Sequence, residues 1–168
     1  MSSDRIMAEE PIEKKITRIL IHRKMTVTAA ESCTGGLVAG TLVNADGISE
    51  VFKESYVTYS NEAKHKLLGV KKETLEKYGA VSRQTAAEMA EGAVRAAGAD
   101  ASVVTTGVAG PGGGTEEKPV GLVYIGCYVK GCTIVKRCFY GGDRQGVRYS
   151  AVTEALDILY CQLLADEH

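Results

Sequence analysis

Over its first two thirds the chain alternates helical stretches with short β-branched runs, an order that permits few folds. Pro11 opens a stretch in which Ile12, Ile16, Ile19 and Leu20 recur at helical spacing, predicting a helix to about Lys24. Thr26 to Ala30 reads as a buried strand. It runs into Glu31-Ser32-Cys33-Thr34-Gly35-Gly36, and Leu37 to Val43 is then helical. Ser55 to Ser60 gives a second strand, with Asn61 as the expected N-cap of a helix through Leu68. A short helix near residues 73–78 stops at Gly79, and Ser82 caps a long helix closed by Gly98. Ala101 to Thr106, Gly121 to Val129 and Thr133 to Tyr140 follow as strands, the last two joined by a tight turn at Lys130-Gly131. The final helix starts after Asp143 and keeps a broad apolar face to Leu163. Alternating helices and strands predict mostly parallel pairing in a three-layer α/β/α sandwich. The terminal hairpin makes the sheet mixed.

At 168 residues the chain is expected to form one domain over residues 11–168, preceded by a flexible N-terminus over residues 1–10. No internal repeat or linker interrupts it. Twenty Lys and Arg against 21 Asp and Glu leave a formal charge of −1, which argues against a surface built to grip nucleic acid. No apolar run approaches the ~20 residues of a membrane span, and the polar start lacks the apolar core of a secretory signal. Five cysteines, with no C-x-x-C pair, suit neither a disulfide framework nor a zinc site. These features predict a cytoplasmic protein that contacts neither membrane nor nucleic acid and holds no metal or cofactor.

Glycine is in surplus, 19 residues in all, and two clusters matter. Gly35-Gly36 follows Ser32, at the turn that a strand–turn–helix unit presents on the carboxyl edge of a sheet. Gly107-Val108-Ala109-Gly110-Pro111-Gly112-Gly113-Gly114 directly follows a strand, where glycines let the backbone approach a ligand closely. It is neither a Walker A loop nor a dinucleotide fingerprint. A third feature is Gly141-Gly142-Asp143-Arg144 with Arg148 one turn on. Arginine at a helix N-terminus opposes the helix dipole, so it is not there for helix stability; a phosphate ligand suits it, and a solvated arginine paired with an acidic neighbour is the competing explanation.

Three histidines leave His65 as a weak candidate base for a triad, so a lysine is the better activator of a serine nucleophile. Lys64 stands at N3 if Asn61 is the cap, where the positive helix end would lower its pKa. Tyr59 precedes it by five residues and adds a possible proton relay. Ser32 and Cys33 both remain candidate nucleophiles on residue type alone. A surface lysine and a strand tyrosine are the competing structural explanation for Lys64 and Tyr59.

The segments 30–36, 57–64 and 79–82, then Thr106-Gly107-Val108-Ala109-Gly110-Pro111-Gly112-Gly113 with Glu117-Lys118-Pro119-Val120-Gly121, and Gly142-Asp143-Arg144 with Val147-Arg148, resemble successive signatures of the CinA C-terminal domain family. Tyr140 stands where the family pattern has Phe. The resemblance covers about residues 10–165 and implies a five-stranded mixed sheet in an α/β/α sandwich and a homodimer. It also implies nicotinamide-nucleotide amidase activity, with nicotinamide mononucleotide as substrate and nicotinate mononucleotide and ammonia as products. On this resemblance Ser32 is the nucleophile, and Tyr59 and Lys64 transfer protons. The oxyanion is expected at backbone N–H groups near Thr34-Gly35-Gly36, residues counted with the substrate-binding set. Thr105, Thr106, Gly107, Gly110, Gly112, Gly113 and Arg144 are expected to hold the nucleotide. A Cys33-based amidase and a catalytically silent nucleotide-binding module are the alternatives.

Overall fold

The computed structural model describes residues 10–166; apart from Glu10, the expected flexible N-terminus lies outside them. The elements run α1 (Ile12–Arg23), β1 (Val27–Glu31), α2 (Leu37–Leu42), a 3-10 turn (Ile48–Glu50), β2 (Phe52–Val57), α3 (Asn61–Leu68), α4 (Lys72–Tyr78), α5 (Arg83–Ala97), β3 (Ala101–Gly107), β4 (Leu122–Val129), β5 (Cys132–Phe139) and α6 (Arg144–Ala165). The sheet order is β2-β1-β3-β4-β5. Pairings β1–β2 and β1–β3 are parallel, while β3–β4 and β4–β5 are antiparallel. The mixed five-stranded α/β architecture is the expected one. Its antiparallel half amounts to two of the four pairings, because the β4–β5 hairpin joins the sheet beside β3.

Strand residues alternate between the two faces, and each face has its own core. Ala29 and Val103 point into the larger core with Ile16, Leu20, Val147, Leu156 and Leu159 of α1 and α6. Their neighbours Ala30 and Val104 point into the smaller one, with Leu68 of α3 and Met89, Ala90 and Ala93 of α5. The smaller core is thin because its residues are small. A Cβ on Gly126 of β4 would stand 2.7 Å from the Ala86 carbonyl oxygen of α5. One on Gly92 of α5 would stand 1.9 Å from the Leu68 carbonyl oxygen at the end of α3. These glycines let α5 lie close under the sheet and let α3 dock directly on α5.

β2 starts and ends three residues earlier than the sequence predicts. It is an edge strand whose central residues Lys53, Glu54 and Ser55 are exposed, so its pattern carries little burial signal. Phe52 pairs with Val27, and after an irregularity the register continues through Ala29–Ser55 to Glu31–Val57. Thr58 and Tyr59 therefore fall in the connection to α3.

Candidate active site

The carboxyl edges of β1 and β3 and the start of α3 meet at one cavity of about 310 Å³. Ser32, Cys33, Tyr59, Lys64, Thr106, Gly107, Gly110, Gly112, Gly113 and Arg144 line it. Most of the residues singled out in the sequence are thus brought together. Ala80, Val81, Val108 and Ala109 complete the wall; small apolar residues of this kind carry no signal of their own in a sequence. A larger groove of about 490 Å³ between α3 and α4 shares none of these residues. His65 lines that groove, and its Nδ1 lies 2.8 Å from the Val70 carbonyl oxygen. It takes no part in a serine–histidine pair.

Ser32 directly follows β1, and its N–H continues the ladder to Thr105 O at 3.0 Å. The chain then reverses. Gly35 N–H donates to Ser32 O at 3.1 Å, and Gly35 (φ +60°) and Gly36 (φ +102°) occupy the left-handed region that suits glycine. Beneath the turn lies Glu31, 1% exposed. Its carboxylate accepts from the Thr34 hydroxyl, from Gly36 and Val38 N–H at 3.0 Å, and from Ala39 N–H at 2.8 Å. On the opposite side Arg148 of α6 donates to the carbonyls of Cys33 and Thr34, both at 3.0 Å.

This network corrects several expectations. Gly35 and Gly36 N–H are already taken, so the turn's donors without an acceptor among the described residues are those of Cys33 and Thr34. Thr34, Gly35 and Gly36 do not line the cavity. Neither does Thr105, whose hydroxyl pairs with that of Thr34 at 2.8 Å. Arg148 is committed to the turn's carbonyls rather than held ready for a phosphate. Glu31 had no assigned role because its partners are the Thr34 hydroxyl and backbone groups five to eight residues away.

Lys64 is the largest fully buried side chain, 1% exposed. Its Nζ lies 3.2 Å from Ser32 Oγ and 2.8 Å from the Thr58 carbonyl oxygen. Ser60, not Asn61, is the N-cap of α3, with its hydroxyl accepting from Ala63 N–H at 3.1 Å. Lys64 is therefore N4 rather than N3. Helical side chains lean toward the helix N-terminus, which carries its ammonium back to the end of β2 and to Ser32. Burial pushes the Lys64 pKa below its ordinary 10.5; desolvation of the charged form, rather than the helix end, is the main cause. The same burial raises the Cys33 thiol to about 11, which keeps it protonated near neutrality.

Tyr59 is 63% exposed and stands at the cavity mouth. Its hydroxyl accepts from Arg144 at 3.1 Å, and it makes no hydrogen bond to Ser32 or Lys64. Arg144 also donates to Gly110 O at 2.7 Å, so it bridges the glycine loop and Tyr59. Asp143 caps α6 through Gly146 N–H at 2.8 Å, as its sequence predicts. Thr106 lines the cavity while its hydroxyl donates to Ala80 O at 2.8 Å. Among the described residues there is no cluster of three or more His, Cys, Asp or Glu able to hold a metal, and no helix long and apolar enough to cross a membrane.

The sequence profile of the CinA C-terminal domain matches residues 9–163. A "putative competence-damage inducible protein" of Clostridium beijerinckii is 55% identical over 158 residues, covering 93% of this chain and 38% of that protein. One of the same description from Clostridioides difficile is 54% identical, covering 92% and 37%. The chain thus spans less than two fifths of the length of these curated relatives. Among solved structures, a CinA-superfamily protein of Klebsiella pneumoniae superposes with a TM-score of 0.87 at 35% identity, covering 92% of this chain and 96% of that one. A competence/damage-inducible protein of Agrobacterium tumefaciens gives 0.84 at 44%, covering 90% and 94%. With profile, relatives and architecture in agreement over nearly all of its length, the chain belongs to the CinA C-terminal domain family.

Proposed function

We propose that the chain is an amidohydrolase that converts nicotinamide mononucleotide to nicotinate mononucleotide and ammonia, with Ser32 as nucleophile and Lys64 as its base. The observation that carries this reading is the 3.2 Å contact between a buried lysine amine and Ser32 Oγ. A neutral amine donating to Thr58 O keeps its lone pair for the serine proton. Lys64 takes that proton as Oγ attacks the carboxamide carbon. It returns the proton to the departing nitrogen as the C–N bond breaks, and ammonia leaves. A water then attacks the acyl ester, giving its proton to Lys64, and Ser32 is released as the hydroxyl. The Cys33 N–H, on the cavity wall, is the turn's donor for the oxyanion, such a donor typically contributing about 10²–10³-fold. Tyr59 is not needed as a relay in this scheme; with Arg144 it forms the wall for the ribose phosphate. Gly107, Gly110, Gly112 and Gly113 supply close backbone approach on the other side.

Ammonia release from nicotinamide mononucleotide by the purified protein tests the reading. Ser32→Ala is expected to abolish it, while Cys33→Ala retains most of the rate. Loss in Cys33→Ala with retention in Ser32→Ala would move the chemistry to the thiol. Calorimetric nucleotide binding without turnover at any pH would make the chain a silent binding module.

A further inference from the structure

Two ionisable side chains outside the catalytic pair hold the Ser32 turn from opposite sides. Glu31 gathers its N–H side and Arg148 its carbonyl side. We propose that Arg148 is a positioning residue for catalysis, setting the orientation of the Cys33–Thr34 peptide and through it the geometry of the nucleophile turn. This rests on the reading of Ser32 as nucleophile.

The peptide unit is planar and trans, so its C=O and N–H point in opposite directions. Nε of Arg148 accordingly fixes both the Cys33 carbonyl and the direction of the Thr34 N–H. Its Nη2 fixes the next carbonyl, that of Thr34. Two consecutive carbonyls on one planar fork define a plane in a way a single contact cannot. Lysine, with a compact ammonium on a flexible stem, is no substitute for that fork. The Cys33 and Thr34 side chains of the turn are buried, but Gly35 and Gly36 carry none to resist rotation and are the residues that most readily change conformation. A Cβ at Gly35 would lie 3.5 Å from Arg148 Nη2, so the guanidinium packs against the turn as well as bonding to it. Glu31 anchors the other side to α2, but its partners begin at Thr34 and Gly36. The carbonyl of Cys33, the residue after the nucleophile, is held by Arg148.

The test compares wild type with Arg148→Lys and Arg148→Ala, in two assays. One is the rate of Ser32 labelling by a fluorophosphonate, with Ser32→Ala as control, which needs no nucleotide. The other is the kcat and KM for nicotinamide mononucleotide. The labelling rate and kcat are expected to fall by about 10²-fold in Arg148→Ala, the usual scale of a small misplacement, with KM little changed. Arg148→Lys recovers a minor part, and methylguanidinium added to Arg148→Ala restores rate without altering its thermal melt. A raised KM with unchanged kcat would overturn the proposal and make Arg148 a substrate ligand. Labelling as fast as wild type in Arg148→Ala would overturn it too, leaving Ser32 as the nucleophile. Wild type that is not labelled at Ser32 would remove the nucleophile itself, and the positioning role with it. If Arg148→Ala does not melt cooperatively, Arg148→Lys carries the comparison.

Discussion

At the scale of single residues, the site depends on a lysine that is almost wholly buried. An ammonium gains most of its stability from hydration, and Lys64 has exchanged water for one carbonyl and one hydroxyl. As a base it works only when neutral, and burial lowers its pKa from 10.5. The expected kcat/KM profile therefore rises with pH and levels off below pH 10.5, the inflection reporting Lys64 in the free enzyme. Initial rates of ammonia release across a buffer series check this. A profile flat from acid to alkaline pH would dissociate Lys64 from the proton transfer. Cys33 shows the other outcome of the same physics, since burial with its thiol raised to about 11 keeps it protonated near neutrality.

At the scale of elements, the position of Lys64 is the position of α3. That helix is eight residues long and is held at its C-terminal end by α5, where Gly92 meets the Leu68 carbonyl. In an exposed helix, alanine in place of glycine stabilises by about 0.5–1 kcal/mol. Gly92→Ala is expected to do the reverse, because its Cβ would fall 1.9 Å from Leu68 O. Overpacking of this kind costs about 1–3 kcal/mol, and a displaced α3 withdraws Lys64 from Ser32. Denaturant melts and kcat measured together check it; an unchanged kcat would show that α3 is fixed some other way. Such contacts explain what was legible in the sequence. Periodicity and capping residues located nearly every element, and the motif residues Ser32, Lys64, Tyr59 and Arg144 do line one cavity. Missed features depended on direction rather than type. Ser60 and Asn61 are both good caps, and only the backbone shows which one is used. Thr105 and Thr106 are adjacent on a strand and so face opposite ways. Arg148 binds carbonyls that 114 and 115 residues separate from it in the chain.

At the scale of the whole molecule, the buried amine sets a stability cost that depends on pH. The unfolded chain binds a proton at Lys64 up to pH 10.5, whereas the folded chain loses it at lower pH. Between the two values the unfolded state holds more protons, so wild-type stability rises with pH there and is penalised below the folded pKa. In Lys64→Met that contribution is gone. The stability of wild type relative to Lys64→Met is thus expected to increase as pH approaches 10.5. Parallel thermal melts of both proteins at several pH values measure it, and a pH-independent difference would contradict it. Charge is also distributed across the molecule in a way that the Glu31 network decides. In many doubly wound sheets the N–H groups following the first strand are where a ligand's phosphate docks. Here a carboxylate from the chain itself occupies the Gly36, Val38 and Ala39 N–H groups, so a ligand's phosphate finds them taken while the turn still presents a reactive hydroxyl. The molecule has in effect inserted its own counterfeit phosphate, and an anionic ligand is left with the far wall, where Arg144 stands.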